Sequence, residues 1–328
     1  MWNHRLLAVA YAAVAFAPWR EHAVQPGVGA RDDAPHAELL APGTIDTPDY
    51  ELNAAFTPDG RTLYFTRIQP NWPAGPDYWV IAVAHLAGGR WSEPEVAPFS
   101  GRYNDADPVV SPDGRRLFFV SNRPLTAGAP PKRDYDIWMM GRQADGAWGE
   151  PVNLGPNVNS DRNEYYPSVA ANGTLYLQTT RPDSRGGDLY RSRLMNGVYQ
   201  PIEPLGDSVN SQYGEGDAAI APDESFIVFA GYGRPDSYGG ADLYISYNRG
   251  GLWSAPRHLG PSVNTPAREF CPILSPDGKY LYFTSEIGFA ADPRARPLSM
   301  REFRERLHSV RNGLGNIYRI DRAVLEGP

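Results

Sequence analysis

Five carboxylates recur along this chain at near-even intervals: Glu51, Asp105, Glu164, Glu215 and Glu269, separated by 54, 59, 51 and 54 residues. Sixteen to nineteen residues behind the first four stands an arginine, Arg67, Arg123, Arg181 and Arg234. Gathered around one opening, such acids would repel one another and offer hard oxygen ligands of the kind calcium takes. Two of them about 5–10 Å apart would suffice for glycoside hydrolysis. Paired with their own arginines, they would only brace the fold. The fifth copy departs from the rest, because Ser285 is followed by Glu286 and not by arginine. These ten residues are the candidate ligand-binding set, with Glu269 and Glu286 the place to look first. No residue is assigned as catalytic. His36, His85, His258 and His308 belong to no recognisable nucleophile–base arrangement. Cys271, which opens an apolar run, reads as core. No zinc-protease, P-loop or dinucleotide motif is present.

The elements that must position these groups are repeated too. Thr57-Pro-Asp-Gly, Ser111-Pro-Asp-Gly, Ala221-Pro-Asp-Glu and Ser275-Pro-Asp-Gly each precede an alternating run such as Leu63/Phe65 or Leu281/Phe283, and a worn copy begins at Ala170. Proline followed by Asp and Gly is turn chemistry, and period-2 alternation gives each strand one core-facing side. Later in each unit come an Asp/Asn-led aromatic strand (Asp77, Asp136, Asp188, Asp242, Asn316) and a Gly-x-aromatic segment carrying Trp91, Trp148 or Trp253. The strings LGPNVNS, LGDSVNS and LGPSVNT start at Leu154, Leu205 and Leu259. Those aspartates are expected to bond neighbouring backbone amides, and the tryptophans to pack between units.

Four short strands every ~50 residues predict an all-β, single five-bladed β-propeller, with six blades as the alternative. The segment ELLAPGTIDT before the first unit aligns with the end of a unit, while the C-terminus stops after a third strand. The N-terminal strand is therefore expected to complete the last blade and leave no open edge. The acids fall where each innermost strand begins, which predicts an acidic ring at one mouth of the channel. Tyr50, Tyr103, Tyr165, Tyr166, Tyr213 and Phe270 lie beside them in sequence.

Composition agrees. Of 328 residues, 33 are Gly and 32 Pro, too many turn formers for a helical bundle, and 39 aromatics supply enough apolar area to order the chain. The net charge of −7 lacks the basic footprint of a nucleic-acid binder. One cysteine excludes internal disulfides.

These Pro-Asp-Gly units resemble the propeller repeats of the TolB-like family, relatives of the WD repeat, over about Glu38 to Ile320. The resemblance implies a propeller of the kind found in periplasmic binding proteins, envelope-assembly parts and enzyme accessory domains. The best-known member has six blades, and this chain has five repeats.

Residues 1–30 read as a signal peptide or a disordered N-terminus, and 37–328 as the propeller. The apolar run Leu6–Ala17 is too short to span a bilayer and suits a secretory leader, cleaved near Ala23 or Ala30. The expectation is a periplasmic or secreted monomer with no integral membrane segment after leader removal and no cofactor, calcium being the one candidate. It would be non-catalytic and bind a protein or peptide at the channel mouth, in cell-envelope assembly. The alternative is a glycan-processing hydrolase or lyase using mouth carboxylates. Between Glu286 and Gly315 lies the largest insertion, where Ser299–Glu302 forms a capping box and Met300, Phe303, Leu307 and Val310 share a helical face. That helix, ended by Gly313 or Gly315, would be a lid over the mouth or a docking ridge.

Overall fold

The computed structural model describes residues 36–71, 77–180, 186–289 and 296–326. The proposed leader lies outside the described residues.

Each Pro-Asp-Gly turn is built as its residues dictate. The Asp59 carboxylate accepts from Thr57 Oγ1 at 2.6 Å and from the Arg61 amide at 3.0 Å. Asp277 does the same with Ser275 (2.6 Å) and Lys279 (3.1 Å). The glycine that follows lies in the left-handed region, as at Gly60 (φ 66°). In the fourth copy Glu224 takes that strained place at φ 58°. Its carboxylate accepts from Asn172 and Tyr176 of the preceding unit, both at 2.7 Å.

Each turn joins the two innermost strands of a four-stranded antiparallel blade, and five blades form the ring. Blade 1 comprises Tyr50–Phe56, Thr62–Gln69, Tyr78–Ala87 and Glu95–Val96. Blade 2 comprises Asp105–Val110, Arg116–Ser121, Asp136–Gly141 and Val152–Asn153. Blade 3 has Glu164–Val169, Leu175–Thr179, Asp188–Ser192 and Glu203–Pro204, and blade 4 has Gly214–Ile220, Phe226–Tyr232, Asp242–Arg249 and Arg257–His258. Blade 5 takes Glu269–Leu274, Tyr280–Ser285 and Asn316–Asp321 from the end of the chain and Glu38–Leu39 from its start. The N-terminal strand completes the last blade as expected, with Leu39 opposite Tyr318.

Tryptophans do sit between blades. Trp148 Nε1 donates to Tyr64 Oη of blade 1 at 2.9 Å, and Trp253 meets Tyr176 of blade 3 edge-on at 6.5 Å. The strand-opening aspartates need two corrections. The partners of Asp136 are side chains, Lys132 Nζ and Asn153 Nδ2, whereas Asp242 accepts from the Tyr238 and Gly239 amides as expected. The second correction is one of register. Asp136, Asp188 and Asp242 share a register with Asn316, but in blade 1 that register belongs to Val80, opposite Arg67. Asp77 lies three residues earlier, and its carboxylate accepts from the Asn71 amide at 2.9 Å.

A short segment between blades repeats with equal fidelity. In the Val-Asn-Ser/Thr strings the valines (Val158, Val209, Val263) are buried. Each asparagine bonds both backbone groups of one residue in the third strand of the blade just completed. Asn210 accepts from the Leu189 amide and donates to its carbonyl, both at 2.9 Å. Asn159 does so with Ile137, and Asn264 with Leu243. The next residue, Ser160, Ser211 or Thr265, gives its amide and hydroxyl to the glutamate that opens the following blade.

The same triplet closes the ring as Ile45-Asp46-Thr47. Here, as at the other three junctions, a leucine amide donates to the third-strand carbonyl, Leu40 to Ile317 at 3.0 Å. What differs is the side chain's second contact, the Ala41 amide in place of that carbonyl, so both of its contacts are donors, the amides of Ile317 and Ala41, each at 2.8 Å. A carboxylate with two accepting oxygens fits there, and a carboxamide does not.

The blade 5 insertion carries the expected capping box, Ser299 with Glu302, but helix α1 (Met300–Leu307) ends at His308, before Val310 and both glycines. Met300, Phe303 and Leu307 stay exposed, and Phe303 meets Phe289 of the same insertion. Gly315 serves a different end. A Cβ there would fall 2.3 Å from the Tyr50 ring, so only glycine lets the returning chain offer its carbonyl to the Glu51 amide at 2.9 Å.

Asp46→Asn should lower stability by about 2 kcal/mol at pH 7 despite its shape, because an amide NH2 would face a buried N–H. Asn210→Ala, which strands the Leu189 amide while its carbonyl keeps the Leu205 amide, should cost roughly 1–3 kcal/mol. Equilibrium denaturation in urea checks both.

Candidate functional site

The five phased carboxylates are fully buried and engaged, so they do not form an open acidic ring. Glu51 accepts from Thr47, Arg67 (3.0 Å) and Asn316. Asp105 accepts from Ser100, Ser121 and Arg123 (2.8 Å). Glu215 is held by Ser211 and Arg234 (2.7 Å). Glu164 takes Ser160 and Thr179, and Arg181 lies outside the described residues. Among the described residues Glu269 accepts only from uncharged donors, Thr265 and Ser285 (2.7 Å). As placed, these groups have no surface for a ligand; they tie each blade's entry to its own hairpin. Glu286 lies apart from Glu269, paired with Arg268 at 2.9 Å and accepting from the Tyr50 hydroxyl.

The groups that do converge on the axis stand two residues further on. Every inner strand has a bulge at one register, and the bulged residue has positive φ: Asn53, Asp107, Tyr166, Asp217 and Cys271, at 55°, 50°, 48°, 47° and 51°. A bulge re-aims one side chain, and a left-handed tyrosine or cysteine is strained. Tyr166 reaches across the hub, its hydroxyl 2.8 Å from the Pro272 carbonyl and 3.3 Å from Asn53 Oδ1. Its amide donates to Asp107 at 3.2 Å. Asp217 accepts from Tyr232 at 3.3 Å. Below this layer the inner-strand ends of all five blades line an apolar cavity of about 140 Å³, with Val109, Val169, Ile220 and Ile273 among its walls.

Desolvation dominates the electrostatics. Asp107 and Asp217 keep some surface inside the channel, yet protein surrounds them. Burial, with each other's charge adding at Asp107, pushes their carboxyls up to about 7 and about 6. Arg268 and the Tyr232 hydroxyl partly offset this at Asp217. No ion pair reaches Asp107 among the described residues. Burial also raises the Cys271 thiol far above its ordinary value, so it is no nucleophile.

Beside this layer the mouth end carries an aromatic ladder. Trp79 stacks on Tyr135 with centroids 4.9 Å apart, and Tyr135 meets Tyr165 at 5.7 Å. Asn104 fixes it, accepting from the Trp79 amide and donating to the Tyr135 hydroxyl. The Trp79 indole N–H is buried with no acceptor. Among the described residues no group of three or more His, Cys, Asp or Glu side chains is arranged to hold a metal ion.

Sequence reasoning looked one register too early. The axial position reads Asn, Asp, Tyr, Asp, Cys and changes from each repeat to the next, but so does the position before it, Leu52, Ala106, Tyr165, Gly216 and Phe270. Variation between repeats therefore does not single it out.

No protein family's sequence profile matches the chain, and no curated protein matches it either. Among solved structures it is similar to an α-L-arabinofuranosidase from Lactobacillus brevis (11% identity, 84% of this chain and 92% of that chain, TM-score 0.50). It is also similar to Zg3597, a family 117 glycoside hydrolase of Zobellia galactanivorans (12%, 88% and 90%, 0.49). A third is an Agrobacterium tumefaciens protein assigned as TolB (18%, 76% and 74%, 0.45). At such identities the likeness is one of fold.

Because the folded-state pKa values of Asp107 and Asp217 lie above their unfolded ones, the stability they contribute is full below about pH 4 and lost as pH rises through 6 to 7. Asp107→Asn should flatten that decline and raise Tm at pH 8 by on the order of 3 °C. Thermal unfolding of both proteins between pH 5 and 8 checks it.

Proposed function

We propose that this protein is an exported, non-catalytic propeller that binds a protein or peptide at the mouth of its channel, a cationic group of that partner entering between Asp107 and Asp217. The observation that carries this reading is the axial carboxyl pair itself. The two acids break the repeat, have strained backbones and lie in a desolvated hub, where Asp107 has no cation of its own. An ammonium or guanidinium group entering there would remove a standing electrostatic cost. The ladder of Trp79, Tyr135 and Tyr165 supplies a flat apolar contact at the same end. Export rests on the run Leu6–Ala17. No described helix is long and apolar enough to cross a membrane. A role in cell-envelope assembly follows the repeat resemblance.

Panning a random peptide library against the full chain tests this. Bound peptides should be enriched in one basic residue and should weaken at least tenfold from pH 8 to pH 5, as the carboxyls take up protons. The double variant Asp107→Asn/Asp217→Asn should lose them. Equal capture by that variant, or no basic preference, overturns the reading.

One observation favours a second reading, a glycan-processing hydrolase or lyase. With carboxyls at about 7 and about 6, one acid is protonated and its neighbour ionised near pH 6.5, as general acid–base hydrolysis requires. Aryl glycosides cleaved with a bell-shaped pH profile, and not by either single Asp→Asn variant, would establish it.

A further inference from the structure

Blade 5 lacks a part that blades 2 and 4 have. In blade 2 the Arg123 guanidinium lies over the cross-strand pair Phe119 and Trp138, 4.6 and 5.5 Å from their rings, and reaches Asp105 at 2.8 Å. In blade 4 Arg234 lies over Phe229 and Tyr244 at 5.7 and 4.9 Å and reaches Glu215 at 2.7 Å. The corresponding pair in blade 5 is Phe283 and Tyr318, stacked at 5.9 Å, and the corresponding acid is Glu269.

The residue in the arginine's place is Ile287. The match is local as well as positional. The Arg123 amide donates to Ser121 Oγ, which donates to Asp105; the Ile287 amide donates to Ser285 Oγ, which donates to Glu269. Where the guanidinium would lie there is a cavity of about 380 Å³ walled by Leu39, Val263, Phe283 and Ile287. Tyr318, 8% exposed, lines it with a buried hydroxyl that has no hydrogen-bond partner. Charges of both signs act on that hydroxyl, Arg311 foremost, opposed by the buried carboxylates of Asp46 and Glu269. Arg311, on the insertion, stands exposed at the cavity's edge and makes no ion pair with Glu269 among the described residues.

We propose that this cavity is a vacant arginine slot: it receives the arginine side chain of a peptide or protein partner, stacked on Phe283 and Tyr318, its charge set against Glu269, which lies buried behind the wall residues Thr265 and Ser285. The proposal shares with the mouth-face reading the idea of a peptide partner, but it does not depend on the axial pair. It is specific for a planar cation, since flat rings and a carboxylate select guanidinium over a neutral ureido group of the same shape.

Titration calorimetry and NMR on the full chain, with N-acetyl-arginine amide and its neutral isostere N-acetyl-citrulline amide as probes, test it. At this site, read from the shifts of Phe283, Tyr318 and their neighbours and apart from any at the axis, the arginine probe should bind at least about tenfold more tightly. Ile287→Arg, which restores the sister-blade arrangement, should abolish binding and raise Tm. Glu269→Gln should bring the two probes within about twofold of each other. Asp107→Asn/Asp217→Asn should leave the saturation of the Phe283 and Tyr318 shifts by the arginine probe unchanged, whatever it removes at the axis; loss of those shifts there would assign the cation to the axis and sink the slot alone. Equal affinity for the two probes in the wild-type chain, or undiminished binding by Ile287→Arg, overturns the proposal. So does a fall in Tm with tighter binding in Arg311→Ala, since the slot would then belong to Arg311.

Discussion

Everything in this ring depends on one small clasp. An Asn or Asp side chain copies a backbone partner for the third strand of one blade, and the following Ser or Thr holds the carboxylate that opens the next. Neither contact is strong in isolation, but both are buried, and a buried polar group left unpaired costs more than the bond it loses. Repeated between blades 2 and 3, 3 and 4, and 4 and 5, and again at closure, the clasp sets each blade's position relative to the last. The junction of blades 1 and 2 uses a reduced form, in which Ser100 alone both accepts from the Ile81 amide and donates to Asp105.

This explains why the phased acids are structural. A carboxylate in a clasp must be desolvated, and its acceptors must be filled by hydroxyls, amides and, in blades 1, 2 and 4, an arginine. Burial pushes Glu51 and Glu269 up to about 7 even so. The same requirement leaves the axis free, because the clasp is complete before the strand reaches its bulge. Blade architecture and hub chemistry are thus held by different residues only two positions apart.

Much of the fold was legible in the chain. Pro-Asp-Gly turns, alternating strands and the offset between the two ends lead directly to five blades closed by Glu38–Leu39, because turn chemistry and period-2 burial are local. The site was less legible. Asp107 and Asp217 look like ordinary strand residues until a bulge turns them inward, and no local signal marks a bulge that Tyr and Cys also occupy. Asp77 was drawn into the wrong register because blade 1 has a longer third strand. Gly315 looked like a helix stop, and only the nearness of Tyr50 shows what it is for. The empty place beside Ile287 could be seen in sequence only as a missing arginine, not as a cavity.

The common bulge separates two kinds of change. Since all five hub residues hang from the same backbone kink, replacing one alters what the axis offers without disturbing strand register or the contacts between sectors. Such a ring can acquire a new specificity one tooth at a time, as a lock is rekeyed by changing single pins while its cylinder stays the same.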